Sequence, residues 1–357
     1  RLGAQTRTLV AVGAGTVQDI ARLCAQKLGA AFVSCPTAAS CDGYASPFSV
    51  LVENGVRAMR PAAAPVLVLA DVDVLKSAPG RLTKSGVGMA LSNHIALCDW
   101  KIAHLLAAEP DCPTAEALLR QSAVAAQGCA GGVSRGEGGA IAQLMYALLL
   151  PGLVLQMMQS ARPALSAARH LSWLLRLQAR PLGIAPDMPE GELMGASAVL
   201  AADLYRGFAK IDEIAPHLAP VRPSAPGWFV QYFAGASDLL ARENTPDCLE
   251  QVDERAVARQ WDAIRRAVEE LPPRQALCEA LQSAGAPADM EDLGVLSARI
   301  PRLFDLAPYM GNRPTLLRLT RHLSAAASRA PSRSSRYAES AITRAGKSSA
   351  VSASSIR

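Results

Sequence analysis

A chain of 357 residues, half of them hydrophobic, can bury a core large enough for two domains, which excludes a small disulfide-framed peptide or a wholly disordered chain. Its formal charge of +5 gathers at one end: residues 331–357 carry Arg333, Arg336, Arg344, Lys347 and Arg357 against Glu339, and that net +4 leaves +1 for the first 330 residues. A body so near neutrality lacks the basic surface of a nucleic-acid binder. The eight cysteines follow no CxxC spacing and several lie in apolar runs, the pattern of reduced thiols in a cytoplasmic protein. No signal peptide opens the sequence, and so little precedes the first strand that the start reads as truncated.

"TLVAVG", residues 8–13, is a β-branched apolar run ending in glycine, and "TVQDIARLCAQKLG" after it has helical spacing with Gly29 as a stop. "AAFVSCPT" gives a second strand and "APVLVLADVDVL", 64–75, a third that runs into a turn, so the rhythm is that of a parallel sheet with a crossover helix. Beyond residue 80 the chain turns to Ala- and Leu-rich helical stretches with breaks at Pro110, Gly131, Pro151, Pro181 to Pro189 and Pro216 to Pro226. Residues 138–161 are uncharged and long enough to raise a membrane. Pro151 with Gly152, and three glutamines, predict instead two buried helices joined by a turn, with no membrane span. "DERAVARQWDAIRRAVEEL" predicts an amphipathic helix capped by Asp253. Residues 331–357, rich in Ser and Arg, hold too little apolar surface to fold and read as a disordered tail.

"GAGTVQD", residues 13–19, stands where a strand turns into a helix. Glycines there let a pyrophosphate approach the backbone, and the helix start offers free amides. The third glycine of the dinucleotide fingerprint is missing, so a phosphate cradle and a plain tight turn stand at equal odds. "CPTAASCDGYASP", 35–47, follows the second strand with hydroxyls at Thr37, Ser40 and Ser46 around one acid, Asp42.

Together these loops closely resemble the sn-glycerol-1-phosphate dehydrogenase family, within the glycerol dehydrogenase, iron-dependent alcohol dehydrogenase and dehydroquinate synthase superfamily. "LADVDVLKSAPGRLTKSGVG", "ALCDWKIAH", "SARPALSAARHLSW", "EGELMGA" and "APYMGNRPTLLRL" continue the match in family order over about residues 8–325. The resemblance implies an α/β chain: an N-terminal Rossmann-like parallel-sheet domain over 1–80 that binds NAD or NADP, and an all-helical metal and substrate domain over 81–330. The cleft would lie between them, and a homo-oligomer would act on a small phosphorylated substrate. By position, Gly13, Gly15, Thr16 and Val17 would line the dinucleotide phosphates; Thr37, Ala38, Ala39, Ser40 and Ser46 would touch the cofactor; Asp42 and His170 would flank the cleft as catalytic groups. The first strands of the family are missing ahead of the glycine loop.

The family holds zinc with one Asp and two His. In "SGVGMALSN" the Asp position is Met89, a soft neutral thioether that reads as a filler of a core gap. In "ARHLSWLL" His170 is kept, the acid before it is Arg169, and the substrate-contacting histidine four residues on is Leu174. In "PEGELMGA" Glu190 takes the second histidine's place, leaving His170 and Glu190 as the remaining metal donors. His94 and His104 read as packing or surface residues, and Asp99 as structural, paired with Lys101 or a helix end. Two functions follow: an NAD(P)-dependent dehydrogenase interconverting dihydroxyacetone phosphate and sn-glycerol 1-phosphate, or an inactive or repurposed relative that binds a cofactor or partner.

Overall fold

The computed structural model describes residues 5–53, 55–221 and 226–323; the tail read as disordered lies outside them. Thr8–Gly13 (β1) and Ala31–Pro36 (β2) pair in parallel, Thr8 opposite Ala31 and Gly13 opposite Pro36. Gly15–Leu28 (α1) makes the crossover and stops at Gly29, whose φ of 61° is left-handed and suits a residue without Cβ. Two strands that the sequence did not announce come next. Phe48–Glu53 (β3) and Val56–Pro61 (β4) form an antiparallel hairpin, with Phe48 opposite Pro61 and Glu53 opposite Val56. Pro65–Val68 (β5) then joins the far side of β2, giving the parallel order β1-β2-β5.

Asp71 caps Val72–Lys76 (α2) by accepting from the amides of Asp73 and Val74. Helices follow: Gly80–Leu91 (α3), Asn93–Ala107 (α4), Pro113–Ser134 (α5), Gly138–Met158 (α6), Ala167–Leu177 (α7), Ala179–Leu182 (α8), Glu190–Phe208 (α9). After these come Pro226–Phe233 (α10), Ser237–Glu243 (α11), Glu254–Glu269 (α12), Arg274–Ala284 (α13), Ile300–Leu306 (α14) and Leu316–Leu319 (α15). Asp253 caps α12, accepting from Ala256 N at 2.5 Å. One large core joins α3 through α9 with α12 to α15.

The expected break at Pro151 does not occur; α6 is one helix with Pro151 inside it. A proline deprives the carbonyl four residues earlier of its donor. Here that carbonyl, Ala147 O, receives Ser122 Oγ from α5 at 2.7 Å. Gly152 is a contact rather than a break: a Cβ there would lie 2.6 Å from Ala45 C. Gly131 likewise sits inside α5. By length and composition α6 could cross a membrane, yet Leu144, Ala147, Leu148 and Val154 are fully buried against the rest of the fold.

Glycines set how closely α3 is pressed. A Cβ on Gly86 would sit 2.1 Å from Ala39 O, and one on Gly88 2.2 Å from Gly191 O in α9. Asp99, fully buried on α4, accepts from Ala167 N at 2.7 Å, Leu316 N at 3.0 Å and Tyr205 Oη at 2.7 Å. It thereby closes the starts of α7 and α15, while Lys101 pairs with Glu270 instead. Burial outweighs these donors and pushes the Asp99 pKa up to about 6.

Candidate functional site

A cleft of about 520 Å³ runs between the start of α1, the loop after β2 and the β3–β4 hairpin on one side and α3, α6, α7 and residues 186–190 on the other. At one end α1 begins on Ala14, which offers no side-chain cap. The first amides of a helix have no partner within it, and Gly15, Thr16 and Val17 all line the cleft. This is the setting in which a phosphate is held. The glycines also have packing roles: a Cβ on Gly13 would come 2.6 Å from Val17 Cβ, and one on Gly15 3.1 Å from Cys41 Sγ. Ser40 and Ser46 reach the cleft. The Ser46 hydroxyl accepts from Phe48 N at 2.9 Å and donates to Phe48 O at 3.1 Å, which fixes the entry to the hairpin. Thr37, Ala38 and Ala39 are not in its wall; Ala38 and Ala39 are buried, with the Ala39 carbonyl against Gly86.

The rest of the lining, on both sides, is ionic, and most of it was not legible from motifs. Arg22, fully buried on α1, donates from Nη1 to Ser46 O at 2.5 Å and to Phe48 O at 3.2 Å, tying loop and hairpin to the helix. Asp19 lies 3.9 Å from Arg22 Nε. Burial pushes its pKa up to about 6 against the pull of Arg22. Arg57 from β4 and Arg176 from α7 both approach Glu190 Oε2, at 3.2 and 3.6 Å, and Ser172 Oγ donates to Glu190 Oε1 at 3.0 Å. Arg169 donates from Nη2 to Asp42 Oδ2 at 2.7 Å and from Nε to Ala164 O at 2.8 Å. Four guanidiniums thus face the carboxylates of Asp19, Asp42 and Glu190; the fourth acid, Asp187, is 80% exposed at the rim, where it pairs with Arg81. Four guanidiniums against four carboxylates leave the lining balanced in charge, so an anion is favoured there only where a guanidinium or a helix amide is left open toward it. A charged residue inside apolar "GVRAM" was the available signal for Arg57; Arg22 and Asp19 looked like ordinary helix-face charges.

Residues 1–79 match the family model of iron-containing alcohol dehydrogenase. The glycerol-1-phosphate dehydrogenase (NAD(P)+) of Bacillus licheniformis is 35% identical over 198 residues, 56% of this chain and 49% of that one. Its counterpart from Bacillus subtilis is 28% identical over 314 residues, 88% and 70% of the two chains. A probable glycerol dehydrogenase from Sinorhizobium meliloti shares the fold, with a TM-score of 0.57 at 20% identity over 98% of this chain and 78% of that one. The chain is thus similar to iron-containing alcohol dehydrogenases over residues 1–79 and to glycerol-1-phosphate dehydrogenases over most of its length. The curated relatives are glycerol-1-phosphate dehydrogenases, and the chain spans between about 40% and 70% of the length of those it matches.

The superfamily's metal can be tested against the residues that stand here. Met89 touches the cleft but is 2% exposed and belongs to the core. Glu190 has its charge shared between two arginines. His170, expected to flank the cleft opposite Asp42, is fully buried and is not in the wall; its Nε2 would lie 2.2 Å from a Cβ on Gly311. Burial, then the charges of Arg318, Arg313 and Arg169, pull its pKa down to about 3, so the ring is neutral. Leu174 is core. A divalent cation here would meet a thioether, a neutralised carboxylate and a histidine surrounded by guanidiniums. The donor set does not fit it. The dinucleotide fares differently, since the uncapped amides of α1 suit its phosphates. When bound, a reduced nicotinamide supplies hydride.

Proposed function

We propose that this chain is an NAD(P)-dependent oxidoreductase of the glycerol-1-phosphate dehydrogenase kind that interconverts dihydroxyacetone phosphate and sn-glycerol 1-phosphate without the metal of its relatives. The observation that supports it is a single cavity joining a phosphate-accepting helix start to an arginine-bearing wall. Such a cavity suits two ligands that both carry phosphate, held end to end. We place the protein in the cytoplasm, on its free thiols, and as a homo-oligomer, on its kinship. The chain's own tasks would be to bind both phosphates, to seat the carbonyl beside Asp42 and Arg169, and to leave the second product room to depart through the open side.

The test is titration of NADH and NADPH by calorimetry, followed by dihydroxyacetone phosphate reduction by the chelator-treated protein. Saturable binding with turnover that survives chelation supports the proposal. The loss of the metal donors favours a second reading, a cofactor-binding relative with no turnover. Tight NAD(P)H binding with no oxidation in the presence of substrate would select it.

A further inference from the structure

Arg169 combines a fixed position, a permanent charge and a free donor. It lies on the first turn of α7 and lines the cleft in company with Met89, Trp173 and Glu190. Two of its three nitrogens are anchored, Nε on Ala164 O and Nη2 on Asp42. Nη1 bonds to no described residue and, unlike the Nε atoms of Arg57 and Arg176, is not sealed from solvent. We propose that Arg169, rather than a metal ion, receives the reacting oxygen of the substrate, a phosphorylated hydroxyketone or the matching alkoxide.

The proposal rests on the reductase reading above. A guanidinium held by two partners has little freedom left to lose, so its third nitrogen is preorganised for an oxygen that gains negative charge. In the reduction the carbonyl carbon takes hydride from the dihydronicotinamide, which leaves oxidised, while the carbonyl π pair becomes the alkoxide held at Nη1. Water entering the open cleft gives the alkoxide its proton and leaves as hydroxide, while Arg169 donates a hydrogen bond and transfers no proton. Asp42 is a positioning residue for Arg169.

The experiment measures binding, so it does not depend on turnover. NADH affinity is measured first, then that of 2-phosphoglycolate, whose carboxylate stands where the carbonyl would be, on the unaltered chain before and after chelation and on Arg169→Gln and Arg169→Lys. Chelation should leave phosphoglycolate affinity unchanged. Arg169→Gln should lower it by roughly tenfold to a hundredfold, the effect of losing a charged hydrogen bond, with NADH affinity held within about twofold. Arg169→Lys keeps the charge as a single-point donor and should recover part of the loss. Equal affinity in Arg169→Gln overturns the proposal, as does wild-type affinity that falls on chelation and returns with zinc; the chelation arm needs no variant to fold. Binding of NADH without phosphoglycolate also overturns it while sparing the cofactor reading, whereas loss of NADH binding in the unaltered chain removes the function proposed above as well.

Discussion

Replacing Gly86 by alanine puts a methyl group where the α3 backbone meets the loop after β2. The new Cβ would stand 2.1 Å from Ala39 O and 3.1 Å from Ala39 C. A relaxed carbon-to-oxygen contact is about 3.3 Å, so either helix or loop must retreat by about 1 Å. Because the obstacle is backbone, no side chain can rotate away, and the upper part of the usual overpacking cost of about 1–3 kcal/mol applies. Against this, alanine gains about 1 kcal/mol over glycine in a helix, leaving a net loss of about 2 kcal/mol. Gly139→Ala, in the first turn of α6 with nothing within 4 Å of its Cβ, keeps the gain without the clash. The same chemical change should therefore lower the urea midpoint at one site and hold or raise it at the other. NADH affinity should fall only for Gly86→Ala, since the loop it displaces carries Ser40 and Ser46. Equal midpoints for the two variants would refute the close-approach account.

Asp99→Asn turns an acceptor of three hydrogen bonds into a group with one acceptor oxygen and an amine facing donors; a cost of about 2–4 kcal/mol is expected in chemical denaturation, and a loss below 1 kcal/mol would show that the helix starts are held by other means. The folded Asp19 carboxyl binds its proton more tightly than the unfolded one, so its stabilising effect is present below pH 3.8 and lost as pH rises through about 6. The full loss is about 3 kcal/mol, and Asp19→Asn should gain on the wild type by about that amount between pH 4 and pH 7; parallel stability profiles would sink the argument. Protein purified with zinc in excess should retain well under one zinc per chain, and stoichiometric zinc by elemental analysis would mean that the donors have been misplaced.

Much of the fold was written in local patterns. The apolar runs around β1 and β2, the stop at Gly29 and the cap at Asp253 are each decided by neighbours in sequence, so reading along the chain recovers them. Pro151 misleads because its remedy comes from Ser122, 29 positions earlier on another helix. The "SGVG" frame around Met89 misleads in a more instructive way. Its glycines look like remnants of a ligand segment, yet Gly86 and Gly88 are demanded by contacts with Ala39 and Gly191 whether or not a metal is bound. Asp42 was legible as a cleft residue. His170 was not legible as buried, since its place depends on Gly311, far along the chain, and the convergence of Arg22, Arg57 and Arg176 has no short-range signature.

Glu190 is already a guest in the cleft. By standing 3.2 and 3.6 Å from Arg57 and Arg176, it supplies from within the chain the anion those arginines attract. Any incoming acid at that wall must outbid a tethered rival whose local concentration never falls. A weak monoanion gains little from the exchange, while a dianion can hold both guanidiniums and leave the carboxylate beside Ser172. The resident glutamate would thus set a threshold at this wall, higher for a small monoanion such as acetate than for a doubly charged group.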